Sequence, residues 1–134
     1  MQLPDVAEVA AAGVTGTAWD AVPGKHPTPD SVHLKPERID HILVGEENGG
    51  GGHRPGRRKK GKSEFPPSWS DAKIVAAVLT VARNPRDIEP PDPKGMRMFR
   101  GTVDQIVIEG YIGANGYVWT GYPLSGPGVI RNPS

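Results

Sequence analysis

The chain contains no cysteine. That excludes disulfides and thiolate sites. It leaves the compartment open, because cysteine-free domains occur on both sides of a membrane. Also missing is any apolar run near the ~20 residues of a membrane-spanning helix. The opening stretch, MQLPDVAEVAAAGVTGTAW, lacks the basic start and the pure apolar block of a signal peptide. The expectation is a chain with no membrane span and no address of its own, carried to its place of action by something else.

What is present fits one domain. A chain of 134 residues buries a real core without the help of disulfides or metals. Its net charge of +1 hides an asymmetry. Residues 1–40 hold six acids and three bases, whereas residues 41–134 hold nine acids and thirteen bases. The basic part points to an anionic partner. The 18 glycines and 15 prolines would raise the question of disorder if they were scattered. They cluster instead in connections, and periodic stretches survive between them.

Those stretches predict an α+β order, with helices first and an antiparallel sheet last. A short Ala-rich helix is expected over 3–14, and a Pro-rich loop over 23–31. A second helix is expected over 35–43, with Pro36 in its first turn and Ile39, Ile42 and Leu43 on one apolar face, leaving His41 off it. Residues 45–67 form a long loop without periodicity. The strongest helix signal is 68–85: Ser70 is a good N-cap, Ile74, Val78 and Val81 mark a buried stripe, and Asn84-Pro85 ends it. Alternation over 96–112 and 116–124 predicts strands joined by a turn at GANG. Trp69 and Trp119 read as core residues. A domain boundary is expected near residue 35, with 1–34 as a junction or linker and 35–134 as the working domain.

The chemistry concentrates in HILVGEENGGGGHRPG, residues 41–56. His26 and His33 read as surface side chains in loops. His41 and His53 bracket two acids and four consecutive glycines. Metal binding would need further ligands, which Glu46 or Glu47 offers. General acid–base catalysis is the other use: one imidazole takes a proton while the other gives one. Transesterification of RNA needs such a pair, and glycines allow backbone N–H groups close to a phosphate. The next stretch, RPGRRKKGK, has six cations in nine residues, suited to salt-sensitive phosphate contacts by Arg54, Arg57, Arg58, Lys59 and Lys60. On the last strand, Thr120 and Tyr122 share a face. They could supply a hydroxyl for a phosphate oxygen and an aromatic platform for a base.

Three blocks in this order, HILVGEENGGGGHRPG, FPPSWSDAKI (65–74) and VWTGYP (118–123), resemble the bacterial EndoU-type endoribonuclease domain. The resemblance covers roughly residues 38–124. It implies a pancreatic-ribonuclease-like active site on an unrelated two-sheet fold, with no metal or other cofactor. The implied activity is cleavage of RNA to 2′,3′-cyclic phosphate ends. His41 and His53 take the paired acid–base places, and Thr120 and Tyr122 the phosphate-holding and substrate-orienting places. Gly50, Gly51 and Gly52 would face the phosphate. Many such domains add a catalytic lysine, for which Lys94 and Lys62 are candidates without a supporting motif. The resemblance further implies a toxin at the C-terminal tip of a larger secreted or contact-delivered bacterial protein, and nothing in the sequence suggests more than a monomer or a complex with an inhibitor. It would act in the target-cell cytoplasm on single-stranded RNA or a tRNA, and be neutralised by a cognate immunity protein. Two rival readings stand beside it. One is a non-catalytic RNA-binding module built on the basic loop. The other is a metal-dependent nuclease using His41, His53 and Glu46 or Glu47.

Overall fold

The structure, a computed structural model, describes residues 17–134. The helix expected over 3–14 lies outside the described residues. Two short 3-10 turns, Ala18–Ala21 and Pro29–Ser31, come first. They are followed by helix α1 (Pro36–Leu43), strand β1 (Ser63–Glu64), helix α2 (Asp71–Arg83), and strands β2 (Asp87–Ile88), β3 (Arg97–Val103), β4 (Ile106–Ile112), β5 (Val118–Ser125) and β6 (Ile130–Arg131). The class is α+β with antiparallel sheets, as the order of periodicities requires. A four-stranded sheet runs β2-β3-β4-β5, and β1 pairs with β6 in a separate two-stranded sheet.

Helix α2 forms where its signals place it. Ser70 accepts the Lys73 N–H at 3.1 Å, which satisfies one of the N-terminal donors that lack an intrahelical partner. Ile74, Val78 and Val81 are buried against the sheet. The helix lies close: a Cβ at Gly121 on β5 would meet Val78 at 2.8 Å. Packing runs across residue 35. Trp19 and Val32 belong to the core, and the Trp19 indole N–H donates to the Ala82 carbonyl at 2.9 Å.

Two expectations need correction. The stretch 96–112 is not one strand but two, β3 and β4, joined by a tight turn at Asp104 and Gln105. Both residues have positive φ, 49° and 70°, in a place usually taken by Asn-Gly. Alternation continues across the turn, so periodicity alone does not reveal it. Trp119, read as core, is 53% exposed. The register explains this. Tyr111 faces Thr120 and Ile112 faces Val118, so Trp119 is the extra residue of a β-bulge. A bulge re-aims a side chain that strict alternation would have turned inward.

Candidate active site

The glycine-rich loop closes the end of α1. A helix leaves its last carbonyls without intrahelical partners. Here the carbonyls of His41, Ile42 and Leu43 accept the N–H groups of Gly52, His53 and Arg54 at 2.9, 2.7 and 3.1 Å. The loop therefore docks on the helix terminus and is no free hinge. Gly51 has φ +66°, and a Cβ there would fall 2.0 Å from the His41 carbonyl oxygen. Lys59 ties the other side, its Nζ donating to the carbonyls of Glu46 and Gly50 at 2.8 and 3.1 Å. This docking brings two histidines twelve residues apart to one place.

His41, His53, Thr120 and Tyr122 line one cleft of about 390 Å³, together with Gly50, Gly51 and Lys62. The His41 Nδ1 lies 2.8 Å from both carboxylate oxygens of Glu46. A carboxylate only accepts, so Nδ1 carries a proton. Its Nε2 lies 3.1 Å from the Thr120 hydroxyl. The Glu46 carboxyl is lowered from its ordinary value by that bond to His41, against a smaller opposing effect of burial. His53 is buried, 5% exposed. Its Nδ1 donates to the Ser63 carbonyl at 2.7 Å, which leaves the neutral ring with its lone pair on Nε2. Burial is the main cause that lowers its pKa to about 4.

Tyr122 stands 5.7 Å from His53, ring centre to ring centre. Its hydroxyl donates to Glu109 at 2.5 Å, and Arg100 grips the same carboxylate from behind at 2.9 Å. Burial first, and Glu109 second, raise the Tyr122 pKa. The phenol stays protonated, and its ring position is fixed.

The remaining expected residues separate. The Gly52 N–H is engaged by His41. Arg54 forks onto Asp71 at 3.0 and 2.8 Å, and Arg57 donates to the Val44 carbonyl. Arg58 and Lys60 border a different depression beside Ile130. Lys62 reaches the histidine cleft, while Lys94 borders a neighbouring one with Trp119. The block WSDAKI is scaffold: Ser70 caps α2, Asp71 holds Arg54, Lys73 pairs with Asp104, and Trp69 stacks on Phe65.

Sequence reasoning missed three contributors. Glu46 was considered only as a metal ligand, and it holds His41 instead. Glu109 faces Tyr122 across the β4–β5 pair, a relation visible only once the register is known. Arg131, on β6, also lines the cleft. Among the described residues, no group of three or more His, Asp or Glu side chains is placed to hold a metal ion. No helix among them is long and apolar enough to cross a membrane.

An α+β fold with two histidines, a threonine and a tyrosine on one cleft is an arrangement suited to proton transfer beside a bound phosphate. The family model described as bacterial EndoU nuclease matches residues 57–125. The chain belongs to that family. The matched stretch includes Lys62, Thr120 and Tyr122 and begins after both histidines. Searches among curated proteins and among solved structures found no match.

Proposed function

We propose that the chain is a metal-independent endoribonuclease that cleaves RNA by attack of a 2′-hydroxyl on the adjacent phosphorus. One observation carries the reading. His53 has its Nδ1 committed to a carbonyl and its free Nε2 on the cleft it shares with His41 and Thr120. His53 is the base. Its Nε2 takes the 2′-OH proton, the 2′-oxygen bonds to phosphorus, and the bond from phosphorus to the 5′-oxygen breaks. His41 is the acid, its Nε2 giving a proton to that leaving oxygen. The products are a 2′,3′-cyclic phosphate and a 5′-hydroxyl. Burial keeps His53 unprotonated before substrate arrives, and the anionic phosphate stabilises the imidazolium that forms.

Glu46 orients the acid. The Thr120 hydroxyl and the backbone N–H of Gly51 hold the non-bridging oxygens as charge builds, while the Gly50 N–H is taken by the Asn48 side chain at 3.2 Å. Lys62 adds a cation at the cleft, the better placed of the two lysine candidates. Tyr122 offers its ring to the sugar or base, because its hydroxyl is occupied by Glu109. Arg58 and Lys60 draw the strand in from outside.

The family also supports the wider reading: a toxin domain, whose core takes in Trp19 and Val32 as well as the residues after 35, delivered as part of a larger bacterial protein into a target cell. A cognate immunity protein would present acids to the basic loop. A tRNA is the substrate class most in keeping with such a role. The test is incubation of the purified chain with total RNA in EDTA, followed by end-group analysis. Discrete fragments with 2′,3′-cyclic phosphate ends support the reading. Cleavage that EDTA abolishes, or binding without any cleavage, contradicts it.

A further inference from the structure

A second cleft, of about 510 Å³, is lined by Trp119, the chain neighbour of Thr120 in the histidine cleft. The other two tryptophans are buried, and Trp119 is not. It is nevertheless held in place. The Arg38 Nε donates to the Trp119 carbonyl at 2.8 Å, and the Arg38 guanidinium carbon lies 3.7 Å from the centre of the indole ring. A cation therefore lies over one face of a ring whose residue is half exposed. Next to it Tyr117 is 37% exposed, with the Lys35 ammonium 4.3 Å from its ring centre.

The order of these pairs is informative. Lys35, Arg38 and His41 recur every three residues at the start of α1 and along it, about 4.5 Å apart in helical rise. They meet Tyr117, Trp119 and Thr120 in the same direction along β5 and its approach. The chemistry at His41 and Thr120 is thus the third step of a ladder whose first two steps are a cation beside an aromatic ring. Lys94 lines the same cleft, so three cations and one acid, Glu37, border it. Aromatic rings flanked by cations hold single-stranded nucleic acid: the rings stack on bases, and the cations meet phosphates.

We propose that this face is a subsite for the RNA strand on the leaving side of the cut, with a base stacked on the exposed indole of Trp119. The inference rests on the ribonuclease reading, and the side follows from the geometry. The ladder leads away from His41, the group that protonates the leaving 5′-oxygen, and away from His53. The nucleotide carrying that oxygen therefore continues toward Trp119.

The test compares the wild-type chain with Trp119→Ala and Trp119→Phe on two substrates. One is an RNA oligonucleotide with several nucleotides beyond the cut. The other is a nucleoside 3′-(4-nitrophenyl) phosphate, which has none. Trp119→Ala is expected to lower kcat/KM on the oligonucleotide about ten-fold, the effect of losing one stacked base. It should leave the aryl phosphate within about two-fold, because no interaction with that substrate is lost. Trp119→Phe, which can still stack, restores most of the loss. A second arm measures binding of a labelled DNA strand, which lacks the 2′-hydroxyl and is not cut. Trp119→Ala should weaken it by a similar factor. Unchanged oligonucleotide cleavage with unchanged DNA binding overturns the subsite and leaves this face to a protein partner. An equal loss on both substrates also overturns it, since Trp119 would then act by positioning Thr120. If the wild-type chain cuts neither RNA substrate, the ribonuclease reading fails, and the DNA arm still decides whether Trp119 binds a strand.

Discussion

Gly51 sits so close to His41 that a single added carbon, its Cβ, would lie 2.0 Å from the His41 carbonyl oxygen. That contact presses the glycine loop onto the end of α1 and sets the separation of the two histidines. Gly51→Ala should therefore cost both stability and activity. Left-handed strain alone costs an alanine about 1–2 kcal/mol, and the clash adds to it. Gly49 is the control, since it also has positive φ and nothing lies within 4 Å of its Cβ position. Urea unfolding should place Gly51→Ala well below Gly49→Ala. Equal values would mean that the loop does not need this contact.

Glu64 is 2% exposed within a basic stretch. It accepts the Gly56 and Arg58 N–H groups at 2.8 and 2.6 Å and the Asn132 amide at 3.0 Å. Burial pushes its pKa up, but these bonds outweigh it, and the net shift is downward from 4.5. Removing it orphans three donors. Glu64→Ala should cost about 2–4 kcal/mol and expose the basic loop to proteolysis. A variant as stable and as resistant as wild type would contradict this role.

The low pKa of His53 has a consequence for stability. The unfolded chain takes up a proton on this residue near 6.5, while the folded chain resists until about 4. The stabilising contribution is thus full above pH 6.5 and is lost as the pH falls toward 4. It is on the order of 3 kcal/mol at about 1.4 kcal/mol per pKa unit. Glu46 and Glu64 are both lowered from 4.5 and so lose their contributions below that value. The interval from pH 6.5 to 4.5 is therefore where His53 is read. His53→Gln should flatten the fall of unfolding free energy there; an unchanged slope would place the cause elsewhere.

Lys62 and Arg131 line the histidine cleft, whereas Arg54 is engaged with Asp71. Lys62→Gln and Arg131→Gln should each weaken RNA binding and reduce the slope of log affinity against log salt by about one. Arg54→Gln should leave that slope nearly unchanged. A steeper effect at Arg54 would mean that its ion pair opens for substrate.

How much was legible in the sequence followed the range of the interactions. Ser70, Ile74, Val78 and Val81 announced α2 because caps and helical periodicity are local. His41, His53, Thr120 and Tyr122 could be picked out because few residue types move protons or hold phosphates, and the structure does bring them to one cleft. The docking of residues 52–54 on the end of α1 was not legible. A run of glycines reads as freedom, and only the vacant carbonyls of a helix turn it into a clamp. Glu109 and Arg131 reach the site through strand pairing between distant segments, which no local pattern encodes. Trp119 was misplaced because one bulged residue breaks the alternation on which the reading rested. The turn at Asp104 and Gln105 was missed because neither residue is the glycine or asparagine that positive φ usually selects.

One pair of variants separates the acid from the base. His41→Ala and His53→Ala are compared with wild type on an RNA oligonucleotide and on the matching nucleoside 3′-(4-nitrophenyl) phosphate, whose leaving group departs without a proton. His53→Ala should lose about 10²–10⁴-fold in kcat on both substrates. His41→Ala should lose a comparable factor on the oligonucleotide and little on the aryl phosphate. Equal losses for both variants on both substrates, or the reverse pattern, would contradict the assignment of His53 as base and His41 as acid.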